Sequence, residues 1–254
     1  MPPILEIKNV SKSFGGIRAV RDCSLKVERG KITGLIGPNG AGKTTLFNLI
    51  TGFYEMDSGE IFFNGEKLQP GLQPHEVFLK GIYRSFQITR EFHNITVLEN
   101  LLAVPPKQEG EQLWMNWFRP DKVKKQENEY IEKAMDILKF LELDGKAGEL
   151  AGNLAGGERK LLELGRMMMV EPELVLLDEP EAGVPPVMQG KINDYIKTIS
   201  REKGITFFVV EHDMNVIMKL CNPIIVMVDG TYLTEGPPEK VQHDEKVIDA
   251  YLGR

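Results

Sequence analysis

Apolar residues in this chain cluster in two rhythms. Leu174–Leu177, Ile205–Val210 and Ile224–Val228 are short and almost unbroken apolar runs, and Lys31–Ile36 is equally short and rich in branched residues. Such runs predict strands buried on both faces of a parallel sheet. Thr44–Ile50, Val187–Ile199 and Met214–Leu220 instead carry apolar residues at helical spacing and alternate with the runs. That alternation predicts an α/β domain with a largely parallel sheet. Near the start, Leu5–Val10 and Cys23–Glu28 read as strands around a loop, Ser11–Arg21, and Glu60–Phe63 runs into the turn pair Asn64-Gly65. The first two predict a small antiparallel β layer at the N-terminal side, and Glu60–Phe63 is a further strand candidate.

The middle of the chain follows another rule. Tyr130, Ala134, Ile137, Leu138 and Leu141 recur at helical spacing, and no strand pattern stands out between about Gln87 and Leu174. We therefore divide one domain, 1–254, into an α/β core (1–86 and 171–254) and an inserted helical subdomain (about 87–170). Val104–Asn128 reads as a polar loop with Pro105, Pro106, Pro120 and a basic cluster at Lys122, Lys124 and Lys125. It holds both tryptophans, Trp114 and Trp117, beside Phe118. Two readings stand for them: packing of the insertion onto the helices, or contact with a membrane–water boundary.

Composition narrows the partners. A net charge of −6 with a pI near 5.4 argues against a general electrostatic grip on nucleic acid. The longest uninterrupted apolar run, Ile224–Val228, is far short of the about 18–20 residues that span a bilayer, so any membrane role is expected to come through a partner. The opening Met-Pro-Pro-Ile-Leu-Glu-Ile-Lys lacks the basic and apolar blocks of a secretory signal. Cys23 and Cys221 lack metal-ligand spacing and read as small packed residues.

The most informative segment is Gly37-Pro38-Asn39-Gly40-Ala41-Gly42-Lys43-Thr44-Thr45, which fits G-x-x-x-x-G-K-[ST] between a predicted strand and a predicted helix. Glycines let the backbone wrap phosphates so that successive N–H groups face the anion, and the helix dipole adds to that field. Lys43 is placed to meet the β- and γ-phosphates, and Thr44 to offer a hydroxyl to Mg²⁺. A second element, Leu174-Val-Leu-Leu-Asp178-Glu179, ends a strand in two carboxylates at the sheet edge where α/β proteins bind ligands. Asp178 is the candidate Mg²⁺ ligand, and Glu179 the candidate group to orient or deprotonate an attacking water.

The third element, Leu154-Ala155-Gly156-Gly157-Glu158, makes the resemblance specific. With the helix Glu158–Met169 behind it, it resembles the signature of ATP-binding cassette proteins, usually Leu-Ser-Gly-Gly-Gln. Three further positions match that family: Gln87 its glutamine loop, which senses Mg²⁺ and the attacking water; His212 its switch histidine; and Phe14 the aromatic that stacks on adenine, with Ala19 nearby. The resemblance runs from Leu5 to Leu252 and is closest to LivG-type cassettes of branched-chain amino-acid importers. Ser85-Phe86-Gln87, Thr96–Asn100, the insertion 104–128, Asp178–Gly183 and the closing Ala250–Gly253 support it. It implies an α/β fold: a P-loop NTPase core with a mainly parallel sheet, an N-terminal antiparallel β layer and an inserted helical subdomain carrying the signature. It implies ATP and Mg²⁺, and a second cassette subunit bound head to tail, each signature closing over the other's ATP. Membrane permeases and, indirectly, a substrate-binding protein complete the expected assembly, on the cytoplasmic face of the membrane. No nucleic-acid partner is expected. Lipopolysaccharide or lipid export, and a non-hydrolysing nucleotide-binding regulator, are the alternatives.

Two departures from the family pattern matter. Ala155 replaces a serine whose hydrogen bond to phosphate is worth about 1.5–3 kcal/mol, and Glu158 replaces glutamine, adding negative charge near phosphate that is mildly unfavourable unless Arg159 or Lys160 screens it. Pro185 stands where most cassettes carry an aspartate linking the two ATP sites. These departures predict an asymmetric pair of sites, the weaker being the one this chain's signature completes.

Overall fold

The computed structural model describes residues 2–85, 92–106, 108 and 120–252. The chain forms two compact units: Met1–Gln87 with Glu173–Pro180 and Ile196–Arg254, and Ile88–Pro172 with Glu181–Tyr195. The division drawn from sequence left Glu181–Tyr195 with the α/β part, whereas these residues belong to the second unit.

The strands of the first unit are β1 (Leu5–Phe14), β2 (Ile17–Val27), β3 (Ile32–Ile36), β4 (Ser58–Phe63), β5 (Glu66–Lys67), β6 (Ile82–Arg84), β7 (Leu174–Asp178), β8 (Thr206–Val210), β9 (Ile224–Val228) and β10 (Thr231–Gly236). They build a six-stranded sheet in the order β10-β9-β3-β8-β7-β6 and a four-stranded sheet in the order β2-β1-β4-β5. In the larger sheet β9, β3, β8, β7 and β6 run parallel, and β10 is antiparallel at the edge. β7 and β8 are buried along their whole length, as continuous apolar runs require. The smaller sheet is antiparallel throughout. Buried residues of both sheets join Leu46, Phe47, Leu49 and Ile50 of the helix Lys43–Ile50 in one apolar cluster. This helix follows the phosphate-loop motif, so the core anchors the loop from behind.

One expectation fails here and one strand was missed. Ser11–Arg21 is largely strand, because β1 and β2 continue to a turn at Gly15-Gly16. Register shifts after Ile7 and Val10 break the two-residue alternation that would have shown it. β10 also escaped notice: Thr-Tyr-Leu-Thr-Glu-Gly is an edge strand with one neighbour, and polarity there costs little.

The second unit is helical. Val97–Leu102, Pro120–Phe140 and Gly156–Val170 pack together around buried Leu101, Ala134, Leu138 and Leu141. Pro120–Phe140 begins well inside the expected loop; its first turns are Lys, Glu and Gln, good helix formers with only Val123 buried, so no apolar stripe marks them. The helix Pro186–Lys203 starts in this unit. Thr96 caps Val97–Leu102 in a capping box: its hydroxyl accepts from the Glu99 N–H (3.1 Å) while the Glu99 carboxylate accepts from the Thr96 N–H (2.7 Å). Among the described residues no helix is long and apolar enough to cross a membrane. Trp114, Trp117 and Phe118 lie outside the described residues.

Candidate nucleotide site

The parallel strands deliver their carboxyl ends to one edge of the large sheet. β3 leads into Gly37, β7 ends at Asp178 and β8 leads to Glu211 and His212. The loop between β3 and the helix is tightly built. A side chain on Gly37 would run into the Met227 carbonyl, and one on Gly42 into the Ala19 carbonyl, with Gly42 also at φ +91°. Lys43 Nζ donates to the Gly37 carbonyl (2.7 Å) and the Pro38 carbonyl (3.2 Å), holding the loop around its own ammonium. The Ala41 N–H closes the turn onto the Pro38 carbonyl at 3.1 Å. Gly230, in the β9–β10 turn, donates its N–H to the Ala41 carbonyl (3.2 Å) and accepts from the Arg21 N–H (2.8 Å). Asn39, Gly40 and Thr44 face solvent, with Thr45 half-buried. Burial pulls the Lys43 ammonium below its usual range, and the charges of Glu179 and Asp178 push it back up.

Asp178 is buried, with Oδ2 3.2 Å from Arg84 Nη2. Burial pushes its carboxyl up; Arg84 and Lys43 pull it down, and neighbouring Glu179 pushes it up again. Arg84, on β6, was missed by sequence reasoning, since a lone arginine at the end of a short strand reads as surface. Its side chain is only 8% exposed. It also bonds Asn48 and, at 3.3 Å, the Thr51 hydroxyl, and it lies 5.8 Å from the ring centres of Phe47 and Phe53. Glu179 adopts φ +50°, and its N–H donates to the Val210 carbonyl (2.9 Å), tying the ends of β7 and β8 together. Glu179 Oε1 lies 3.3 Å from His212 Nδ1. The buried Glu211 carboxylate accepts from the His212 N–H at 3.3 Å. The structure thus brings Lys43, Asp178, Glu179 and His212 to one edge.

Phe14 ends β1 half-exposed, and its ring meets Tyr54 edge to face at 5.1 Å. Lys12 Nζ sits 5.5 Å from the Phe14 ring centre. Ala19 reaches the phosphate loop through its carbonyl beside Gly42. Gln87 lies outside the described residues.

Within the second unit, Leu154 is buried and Ala155 is the N-cap of Gly156–Val170. Ala155 has no hydroxyl for the cap; instead the Glu158 carboxylate accepts from the Ala155 N–H at 3.0 Å. The two neighbouring cations that could have screened Glu158 are otherwise engaged. Arg159 donates to the carbonyls of Leu154 and Gly152 at 2.9 Å each, and Lys160 lies 3.7 Å from Glu163. The cation on Glu158 is Lys146, which bonds both carboxylate oxygens at 2.8 and 2.9 Å and lowers the carboxyl's pKa. Twelve residues of separation hid this pair from sequence reading. Pro185 fits because its carbonyl accepts from the N–H groups of Met188 (2.9 Å) and Gln189 (3.1 Å), while Pro186 opens the helix where no N–H is needed.

The donor set suits a hard, water-retaining cation. No group of three or more His, Cys, Asp or Glu side chains could hold a metal among the described residues. One buried carboxylate and one threonine hydroxyl are oxygen donors of the kind Mg²⁺ takes; bound there, it would leave the remaining positions to phosphate and water.

A glycine-wrapped strand-to-helix loop beside a carboxylate edge on a mainly parallel sheet defines a P-loop nucleotide-binding fold. The profile described as ABC transporter matches residues 20–182, and that described as Branched-chain amino acid ATP-binding cassette transporter matches residues 233–254. The chain is 40% identical to the probable branched-chain amino acid transport ATP-binding protein LivG of Archaeoglobus fulgidus, covering 98% of this chain and 95% of the relative. It is 38% identical to the high-affinity branched-chain amino acid transport ATP-binding protein BraF of Pseudomonas aeruginosa, covering 99% and 98%. A crystal structure of an ATP-binding cassette of an ABC transporter in its ADP conformation superposes with a TM-score of 0.82 at 34% identity, covering all of both chains. The chain belongs to the ABC transporter family, as an ATP-binding subunit.

Proposed function

We propose that this subunit hydrolyses ATP with Mg²⁺ to drive branched-chain amino-acid import through membrane permeases. The observation that carries hydrolysis is the grouping of Lys43, Asp178, Glu179 and His212, with His212 Nδ1 3.3 Å from the Glu179 carboxylate. The import substrate rests on full-length similarity to LivG and BraF and on the profile match at 233–254.

ATP binds with its phosphates in the loop Gly37–Thr45 and its adenine against Phe14, beside Ala19. Thr44 and Asp178, with Gln87 from the family pattern, would hold Mg²⁺, which would supply neutralisation of the phosphate charge. Lys43 places its ammonium on the same oxygens. Glu179 takes the proton of the attacking water, and His212 orients Glu179 and meets the γ-phosphate. Leu154, Ala155, Gly156, Gly157 and Glu158 act on the ATP of a second cassette subunit, identical or different, where the helix N-terminus adds positive field and excludes water. Both compact units thereby serve one cassette domain, peripheral to the cytoplasmic face of the membrane and held there by permeases fed by a substrate-binding protein.

Glu179→Gln is expected to retain ATP while turnover falls about 10²–10⁴-fold, the usual worth of a general base. Unaltered phosphate release by that variant would remove Glu179 from the mechanism. Uptake of labelled leucine by cells with and without the gene tests the substrate: equal uptake argues for another cargo.

A further inference from the structure

Arg84 connects two elements that carry different parts of the site. On β6 it pairs in register with Leu176 of β7, two residues before Asp178, so Arg84, Leu176 and Asp178 share one face of the sheet. Leu176 and Phe47 lie in the same apolar cluster, so this face is the one turned to helix Lys43–Ile50. On that helix Asn48 stands one turn beyond Thr44, and Thr51, its C-cap, nearly one turn further. The Arg84 guanidinium spans the gap. Nη1 bonds Asn48 and Thr51, while Nη2 holds Oδ2 of Asp178 at 3.2 Å. The rings of Phe47 and Phe53, each 5.8 Å away, limit its movement. A planar fork can serve both directions at once; an ammonium on a flexible stem lacks that geometry.

We propose that Arg84 is a positioning residue that sets the separation between Thr44 and Asp178 by bridging the phosphate-loop helix to β7. With Oδ2 bonded to Arg84, Oδ1 of Asp178 is the carboxylate oxygen left for a cation. This inference rests on the reading that Thr44 and Asp178 hold Mg²⁺.

The test uses the full chain and a fluorescent ATP analogue, titrated with Mg²⁺ or in EDTA, for the parent and for Arg84→Lys, Asn48→Ala and Asp178→Asn. Arg84→Lys is expected to weaken apparent Mg²⁺ affinity about 10-fold or more, as loss of a ligand's supporting partner does, with nucleotide affinity in EDTA unchanged. Asn48→Ala removes one of the two helix-side contacts, leaving Thr51, without touching the buried carboxylate, and a smaller fall in the same direction is expected. If Asp178→Asn loses Mg²⁺ affinity while Arg84→Lys and Asn48→Ala keep it, the bridge is overturned and the metal reading stands. If Asp178→Asn keeps Mg²⁺ affinity, the metal reading itself falls. Equal losses with Mg²⁺ and in EDTA would mark Arg84 as merely structural and also overturn the proposal.

Discussion

The phosphate loop and the signature segment both place glycines at a helix start, yet they are finished differently. Around Gly37–Thr45 the chain closes on itself: Lys43 holds two loop carbonyls, Gly230 holds a third, and side chains at 37 or 42 would strike backbone. Around Ala155–Gly156 it stays open, although a side chain on Gly157 would strike Met188. Gly156 has no heavy atom near the place a side chain would take, and no side chain of the N-cap bonds the helix. The first region is complete within one chain; on the proposed reading, the first backbone N–H groups of the second serve the ATP of a partner subunit. Completeness costs tolerance to substitution, and openness preserves it.

That contrast can be broken by mutation. The largest effect is expected from Lys43→Ala, which removes the loop's internal tie and its charge on the phosphates together; ATP affinity should fall at least 100-fold on the order of a lost charged contact, and unchanged binding by calorimetry would refute the phosphate-loop reading. Arg84→Met leaves Asp178 buried without its partner and is expected to cost about 3–5 kcal/mol in denaturant unfolding. Gly42→Ala should cost about 1–3 kcal/mol from its left-handed backbone alone, whereas Gly156→Ala should stay within about 0.5 kcal/mol. Equal losses in the two glycine variants would erase the difference between the regions. The smallest effect concerns Glu158→Gln. Lys146 holds the folded carboxyl below its usual range, so the pair's contribution is present above the unfolded pKa and fades as pH falls through the lower folded value. The variant should match the parent at low pH and differ slightly near neutrality, with a thermal midpoint within about 2 °C.

What sequence revealed follows the same division between local and non-local causes. β7, β8 and β9 were legible because burial on both faces forces continuous apolar runs, and the loop Gly37–Thr45 because its chemistry is contiguous. Asp178, Glu179 and His212 were legible once those strands were placed. Arg84 was not, because its meaning comes from Asn48 and Asp178, distant in sequence and near only after the sheet forms. Lys146 escaped for the same reason, while Arg159 and Lys160, adjacent to Glu158, proved to serve other partners. The β1–β2 hairpin was hidden by bulges that reset its alternation.

Gly230 carries a consequence for the length of chain that the site needs. The residues with a proposed chemical role end at His212, so a protein shortened soon after it would keep all of them while losing the stretch 233–254 that matches the branched-chain cassette profile. Such a fragment would nevertheless lack the clasp that fastens Ala41 on one side and Arg21 on the other. The cradle for the triphosphate is therefore tailored partly by residues with no proposed contact to the fuel, and trimming the tail should slacken it while leaving every proposed contact in place.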